Sequence, residues 1–341
     1  MRYHIGMCGG VYDPLHLGHK SVILQAANQC DKLYIVLSVS NGDNIPYQLR
    51  YRWLKQMTID MENVEVLTIF DKSEDKEHYD WEKGCEDVKN LIGEHIDAVF
   101  VGSDYNYPHN PFSVNYADSE IVYINRDKIN ISSTQIRDNI YKYWDYLAPE
   151  AKEYYVKKVV VVGSESCGKS TLVRNLAKYY NTEYVEEKGR EVCDFAGGID
   201  NMIPSDFVEI LYKHKVDEIE RTRKANKVLF IDTECYVTDY YLKLQFEGDL
   251  GVADEVSAIS RLAHDIGKLN KYDLVIYLEP DVPWVQDGTR TYGEDEVRAE
   301  NDKKLKEILK EVGLTYVVIN GDYQERFRKS VELVDGILSL C

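Results

Sequence analysis

Short runs of β-branched and aliphatic residues alternate along the chain with longer stretches whose apolar positions recur every three or four residues. That alternation predicts an α/β protein, with parallel strands joined by crossover helices. In the first half HIGMCGG, LYIVLSV, VEVLTI, DAVFVG and EIVYI read as strands. PYQLRYRWLKQMTID and WEKGCEDVKNLIG read as helices, the first with Leu49, Trp53 and Met57 on one face. In the second half VKKVVVVG is the most apolar strand, followed by VLFID, YDLVIYLEP and TYVVIN. Helices are expected after Gly168, through DFVEILYKHKVDEIERTRK, through EDEVRAENDKKLKEILKEV and at the C-terminus. Each series opens on a glycine-bearing turn after its first strand, so two doubly wound parallel-sheet domains are predicted. Their seam is expected in the tyrosine-rich stretch 141–156, dividing the chain into residues 1–145 and 146–341.

Composition narrows what such a chain can bind. At 341 residues with a 44% hydrophobic share, each half is large enough to bury its own core. Asp and Glu total 59 against 41 Lys and Arg, a net charge of −18. That balance excludes a general affinity for nucleic-acid backbones or anionic membrane surfaces. Phosphates, if handled, must be held in local pockets against an unfavourable overall field. The N-terminus has no secretory pattern and no run of about 18 apolar residues occurs, so neither export nor a membrane span is expected. The 7 cysteines are scattered and odd in number. They read as reduced thiols of a cytoplasmic protein, without a zinc site.

The strongest motif is Gly163-Ser164-Glu165-Ser166-Cys167-Gly168-Lys169-Ser170, followed by Thr171, which fits G-x-x-x-x-G-K-[ST] between a strand and a helix. Its glycines let backbone N–H groups turn onto phosphate oxygens, and the helix N-terminus adds partial positive charge. Lys169 is then expected at the β and γ phosphates of ATP and the Ser170 hydroxyl on magnesium. Asp232, at the carboxyl end of VLFID, is the second expected magnesium ligand. Glu187 and Arg190 fall where a small kinase meets its acceptor, although a solvated charge cluster explains that segment almost as well. Either Glu187 or Asp232 is the proton acceptor on this reading. Asp287, Arg290 and Trp284 lie in a long loop-like segment. Asp287 and Arg290 are expected to close over the nucleotide, and Trp284 to stack or to pack there.

The first half carries Gly9-Gly10-Val11-Tyr12-Asp13-Pro14-Leu15-His16-Leu17-Gly18-His19 between a strand and a helix. Two imidazoles beside the orphan N–H groups of a helix start make an anion site. Ile131-Ser132-Ser133-Thr134-Gln135-Ile136-Arg137 supplies a capped helix with an arginine one turn in.

The H-x-G-H and I-S-S-T-x-x-R strings together resemble the nucleotidylyltransferase superfamily, whose members bind ATP on a Rossmann-like sheet. That resemblance implies that His16 and His19 hold the triphosphate, with Gly9, Gly10, Val11 and Tyr12 beside it and Ser132, Ser133, Thr134 and Arg137 on the leaving pyrophosphate. The order of this domain before a P-loop kinase, with D-x-P-W-x-x-D-G-x-R at 281–290, resembles the bacterial bifunctional NadR-type family. It implies phosphorylation of nicotinamide riboside to the mononucleotide (NMN), then adenylyl transfer to give NAD, with ATP and magnesium. Longer members carry an N-terminal helix-turn-helix module that is not seen here, so DNA binding is not expected, and self-association is left open. Trp53, Trp81 and Trp284 are the candidates for contact with the nicotinamide ring. Two other readings stay open: a different nucleotidylyltransferase–kinase fusion, as in coenzyme A assembly, and a non-catalytic nucleotide sensor.

Overall fold

The computed structural model describes residues 3–71, 79–125, 129, 131–281 and 295–339. Two compact units divide at Tyr154 and Tyr155. The first is built on β1 (Tyr3–Gly10), β2 (Cys30–Val39), β3 (Val64–Phe70), β4 (Ala98–Gly102) and β5 (Glu120–Ile124). All pairings are parallel, in the order β3-β2-β1-β4-β5. The second holds β6 (Lys157–Val162), β7 (Tyr184–Val185), β8 (Val228–Asp232), β9 (Leu274–Leu278) and β10 (Val317–Ile319). Its order is β10-β9-β6-β8-β7, again all parallel. Both are doubly wound sheets, as the alternating pattern predicts, and β6, with Val159 to Val162 fully buried, is the continuous apolar run expected of a strand covered on both faces.

Three features depart from the expected outline. Helices Cys235–Gln245 and Ala253–Leu269 lie between β8 and β9, and helix Gly189–Ala196 follows β7. Apolar positions do recur at helical spacing in Ala253–Leu269 (Val256, Ile259, Ala263, Ile266), whereas the polar and aromatic side chains of Cys235–Gln245 mask its period. The seam also falls after the expected 145/146 position. Leu147, Ala148 and Ala151 are buried in the first unit, Leu147 forms an antiparallel bridge with His16, and the Ala148 N–H donates to Leu15 at 3.2 Å. Among the described residues no helix is long and apolar enough to cross a membrane, and no disulfide forms.

Close packing at β1 leaves no room for a side chain at Gly6, where a Cβ would lie 2.3 Å from Cys30 Sγ and 2.9 Å from Phe100. Gly6→Ala is therefore expected to destabilise the first unit by about 1–3 kcal/mol. Urea unfolding followed by tryptophan fluorescence measures it, and an unchanged midpoint contradicts the packing argument.

Candidate active sites

β1 runs out at Gly10, and the chain turns through the next residues into helix Leu17–Ala27. His16 is the helix N-cap, and its Nδ1 accepts the His19 N–H at 3.4 Å. An accepting Nδ1 leaves the neutral ring's proton on Nε2, a donor for an anion. The imidazoles stack with centroids 3.7 Å apart, and Tyr12 meets His19 edge-on at 5.0 Å. Tyr12 is buried, in left-handed backbone at φ 53°. It forms a floor beneath His19.

The second motif folds onto this turn. Ser132 caps its helix in a reciprocal box with Gln135, Ser133 Oγ donates to the Pro14 carbonyl at 3.3 Å, and Arg137 donates to the Asp13 carbonyl and to Thr134 Oγ1. The two strings, more than 110 residues apart, thus form one site.

Sequence reasoning missed the residue behind it. Arg50 is fully buried and donates to the Val11 carbonyl at 2.6 Å, the Ile45 carbonyl at 3.0 Å and Asp43 at 2.7 Å. Burial pushes the Asp43 carboxyl up, but the Ser40 amide and the Arg50 charge outweigh it and leave the group below its ordinary range. The available signal was an arginine within the buried 50, 53, 54, 57 stripe of helix Tyr47–Met57. Trp53 belongs to that stripe. It is 4% exposed with its ring against Tyr154, so the expectation that it touches substrate gives way to a core role. Trp81 is more open, at 37%, and packs edge-on with Tyr79 and Phe112.

In the second unit the loop after β6 needs its glycines. A Cβ at Gly163 (φ 150°) would lie 2.6 Å from the Leu278 carbonyl, and Gly168 has φ 90°. Lys169 opens helix Lys169–Tyr180 and donates to the Gly163 and Ser164 carbonyls at 3.1 and 2.9 Å. Burial pulls its pKa down, but the Cys167 thiol and the carboxylates of Glu187, Asp232 and Glu165 outweigh this and keep the ammonium charged. The hydroxyls of Ser164 and Ser166 are buried without a hydrogen-bond partner among the described residues. Cys167 turns its thiol to the Ser164 carbonyl at 3.1 Å, so only its main chain is left for a ligand.

Because β6 pairs directly with β8, in the register Val161 to Asp232, the loop and Asp232 occupy neighbouring strand ends. Ser170 and Asp232 line the same cavity, and burial and the nearby Glu187 charge push the Asp232 carboxyl up to about 6. Its Oδ1 is buried without a partner among the described residues. A cavity of about 760 Å³ joins these groups to Glu165, Thr171, Glu187 and Arg190. Its far wall was not anticipated. His214 contacts the Asp232 carbonyl through Nε2 at 3.0 Å, and burial lowers its pKa. Thr238, Tyr241 and Gln245 project from one face of helix Cys235–Gln245. Trp284, Asp287 and Arg290 lie outside the described residues.

Residues 7–139 match the cytidylyltransferase-like family model, and residues 158–326 the AAA domain model. The trifunctional NAD biosynthesis/regulator protein NadR of Escherichia coli strain K12 is 31% identical over 352 residues, covering 97% of this chain and 82% of the relative. The chain belongs to the NadR family. The Salmonella typhimurium protein of the same name is also 31% identical, over 98% of this chain and 83% of its own length. A NadR crystal structure in complex with NR has the same fold, with a TM-score of 0.78 at 24% identity, covering 99% of this chain and 97% of that one. A NadR complex with NAD and AMP-PNP gives 0.78 at 23%, over 99% and 96%.

The raised Asp232 carboxyl has a thermodynamic consequence. Its folded pKa of about 6 lies above the ordinary 3.8, so between these values the folded state binds more protons than the unfolded one. Stability from this group is complete below pH 4 and is lost as pH rises through 6. In magnesium-free buffer Asp232→Asn is expected to stabilise the second unit by about 3 kcal/mol at pH 8 and by little near pH 4. Chemical denaturation at the two pH values measures this, and a loss of stability at pH 8 refutes it.

Proposed function

We propose that the chain makes NAD in two ATP-dependent steps, one in each unit. The observation that carries this reading is a glycine turn at a helix N-terminus in each unit, one bearing the stacked His16 and His19 and the other the loop holding Lys169, in a member of the NadR family. The family name denotes NAD biosynthesis, and related solved proteins carry NR, NAD and AMP-PNP.

In the second unit the riboside's 5′ hydroxyl attacks the γ-phosphorus of ATP, giving the mononucleotide and ADP. Loop amides and Lys169 hold the phosphates, so the protein contributes positioning and charge neutralisation. Ser170 and Asp232 would hold magnesium. The partnerless Asp232 Oδ1 beside a hydroxyl fits a hard cation that takes few protein oxygens and completes its shell with phosphate and water. When bound, magnesium neutralises charge on the β and γ oxygens. With Asp232 so engaged, Glu187 is the acceptor for the hydroxyl proton, and Arg190 lies on the same cavity wall to meet the substrate.

In the first unit the mononucleotide's phosphate attacks the α-phosphorus of a second ATP, and pyrophosphate leaves. No protein nucleophile is required. His16 Nε2 and His19, with Ser133, Thr134 and Arg137 beside the same turn, stabilise the departing charge. Incubation with nicotinamide riboside, ATP and magnesium is expected to yield NAD, ADP and pyrophosphate. Formation of ADP and mononucleotide without NAD contradicts the assignment of the first unit, and pantetheine phosphate serving as the better acceptor reassigns its substrate.

Separate sites imply separable losses. Lys169→Ala is expected to lower riboside phosphorylation by roughly 10²–10³-fold or more while NAD synthesis from supplied mononucleotide persists. His19→Ala is expected to do the reverse. Assaying each step on both variants measures this, and simultaneous loss of both activities in a folded variant contradicts the scheme.

A further inference from the structure

A loop that turns its N–H groups inward onto phosphate must turn its carbonyls outward, and an outward carbonyl in a buried setting needs a donor. In the second unit that donor comes from far along the chain. Arg326, in the first turns of helix Tyr323–Ser339, is 2% exposed. Its guanidinium donates to the carbonyl of Cys167, to the Glu279 carbonyl at 2.8 Å, to the Gly321 carbonyl at 2.8 Å and to the Asp281 carboxylate. Asp281 in turn accepts the Gly321 N–H at 2.7 Å. The same stretch places Tyr323 against the loop, where a Cβ on Gly168 would meet its ring at 3.1 Å.

We propose that Arg326 is a positioning residue for phosphoryl transfer, acting through the Cys167 carbonyl to fix the peptide plane that aims the Gly168 amide at ATP. Three of its acceptors lie on three different segments, the loop, the end of β9 and the turn before the last helix; the last two are already joined by the Glu279 N–H to the Ile319 carbonyl at 3.2 Å, and Arg326 ties the loop to that pair. A planar fork of five donors spans them, whereas a lysine ammonium meets such a set with one point charge. Asp281 holds the fork from the solvent side, with 39% of its side chain exposed. The inference rests on the kinase reading, and its readout is chosen to stand apart from it.

The full-length chain is assayed as Arg326→Lys and as Asp281→Asn. For Arg326→Lys the KM for ATP in the kinase step is expected to rise about 10-fold or more, with the riboside KM within twofold and adenylyl transfer unchanged. Asp281→Asn keeps the guanidinium in place and is expected to shift ATP KM in the same direction by about 2–5-fold. A purely structural role predicts a different split, in which kcat falls with the active fraction while ATP KM stays fixed. That result overturns the proposal, and so does an ATP KM within twofold of the unaltered chain in both variants. If Arg326→Lys does not fold, Asp281→Asn alone decides. If the unaltered chain phosphorylates no riboside, the kinase reading fails on its own account. The present proposal is then read as ATP affinity by equilibrium dialysis in a His16→Ala/His19→Ala background, with the same expected ratios and the same overturning result.

Discussion

In both sheets the strand that begins the unit ends up in the middle. β1 lies between β2 and β4, and β6 between β8 and β9. The chain therefore leaves each central strand toward one side and returns on the other, opening a crevice at its carboxyl end. The first turn of each unit has no other place to go, and the orphan amides of the following helix face that crevice. What each crevice presents to a ligand is set by the side chains this turn carries. In one unit they are two stacked imidazoles, and in the other a lysine folded over its own loop carbonyls.

Both units meet the same electrical demand in the same way. Turning amides toward a ligand leaves carbonyls facing the protein, and in each unit a buried arginine from another segment accepts the task of satisfying them. Arg50 reaches Val11, and Arg326 reaches Cys167. Each is held by an aspartate, Asp43 or Asp281. Burying a guanidinium is costly unless its hydrogen bonds are complete, and here they are spent on the backbone that shapes the site.

Much of this was legible in the sequence, and the reason is geometric. Parallel strands covered on both faces are continuous apolar runs, so β4 and β6 stand out, and the two glycine turns announce themselves because helix and strand flank them at fixed offsets. The motif residues His16, His19, Ser133, Arg137, Lys169, Ser170 and Asp232 come together in space as two clusters. The remainder was hidden for equally physical reasons. Arg50 and Arg326 sit in amphipathic helices where a charged residue reads as surface, and only their register with buried positions, Trp53, Leu54 and Met57 in one helix and Ser330 and Val334 in the other, marks them as pointing inward. His214 falls on the stripe of Phe207, Ile210 and Leu211, where a histidine reads as core. Helix Cys235–Gln245 carries too many polar and aromatic residues to show its period, yet it furnishes the wall opposite the loop. Trp53 shows the opposite error, an aromatic residue whose chemistry suggests a ligand but whose place is the interior.

The stretch around Leu147 alters what counts as one lobe and what counts as a tether. Its backbone pairs with His16, Ala148 bonds to Leu15, and Glu150 holds Lys20 at 3.0 Å. Residues that by composition resemble a connector are thus the rear wall of the imidazole turn. Any natural or laboratory exchange of the two halves has to splice beyond Tyr154, since a cut between residues 145 and 146 would carry away part of the donor lobe's own scaffolding and graft it, without partners, onto a stranger.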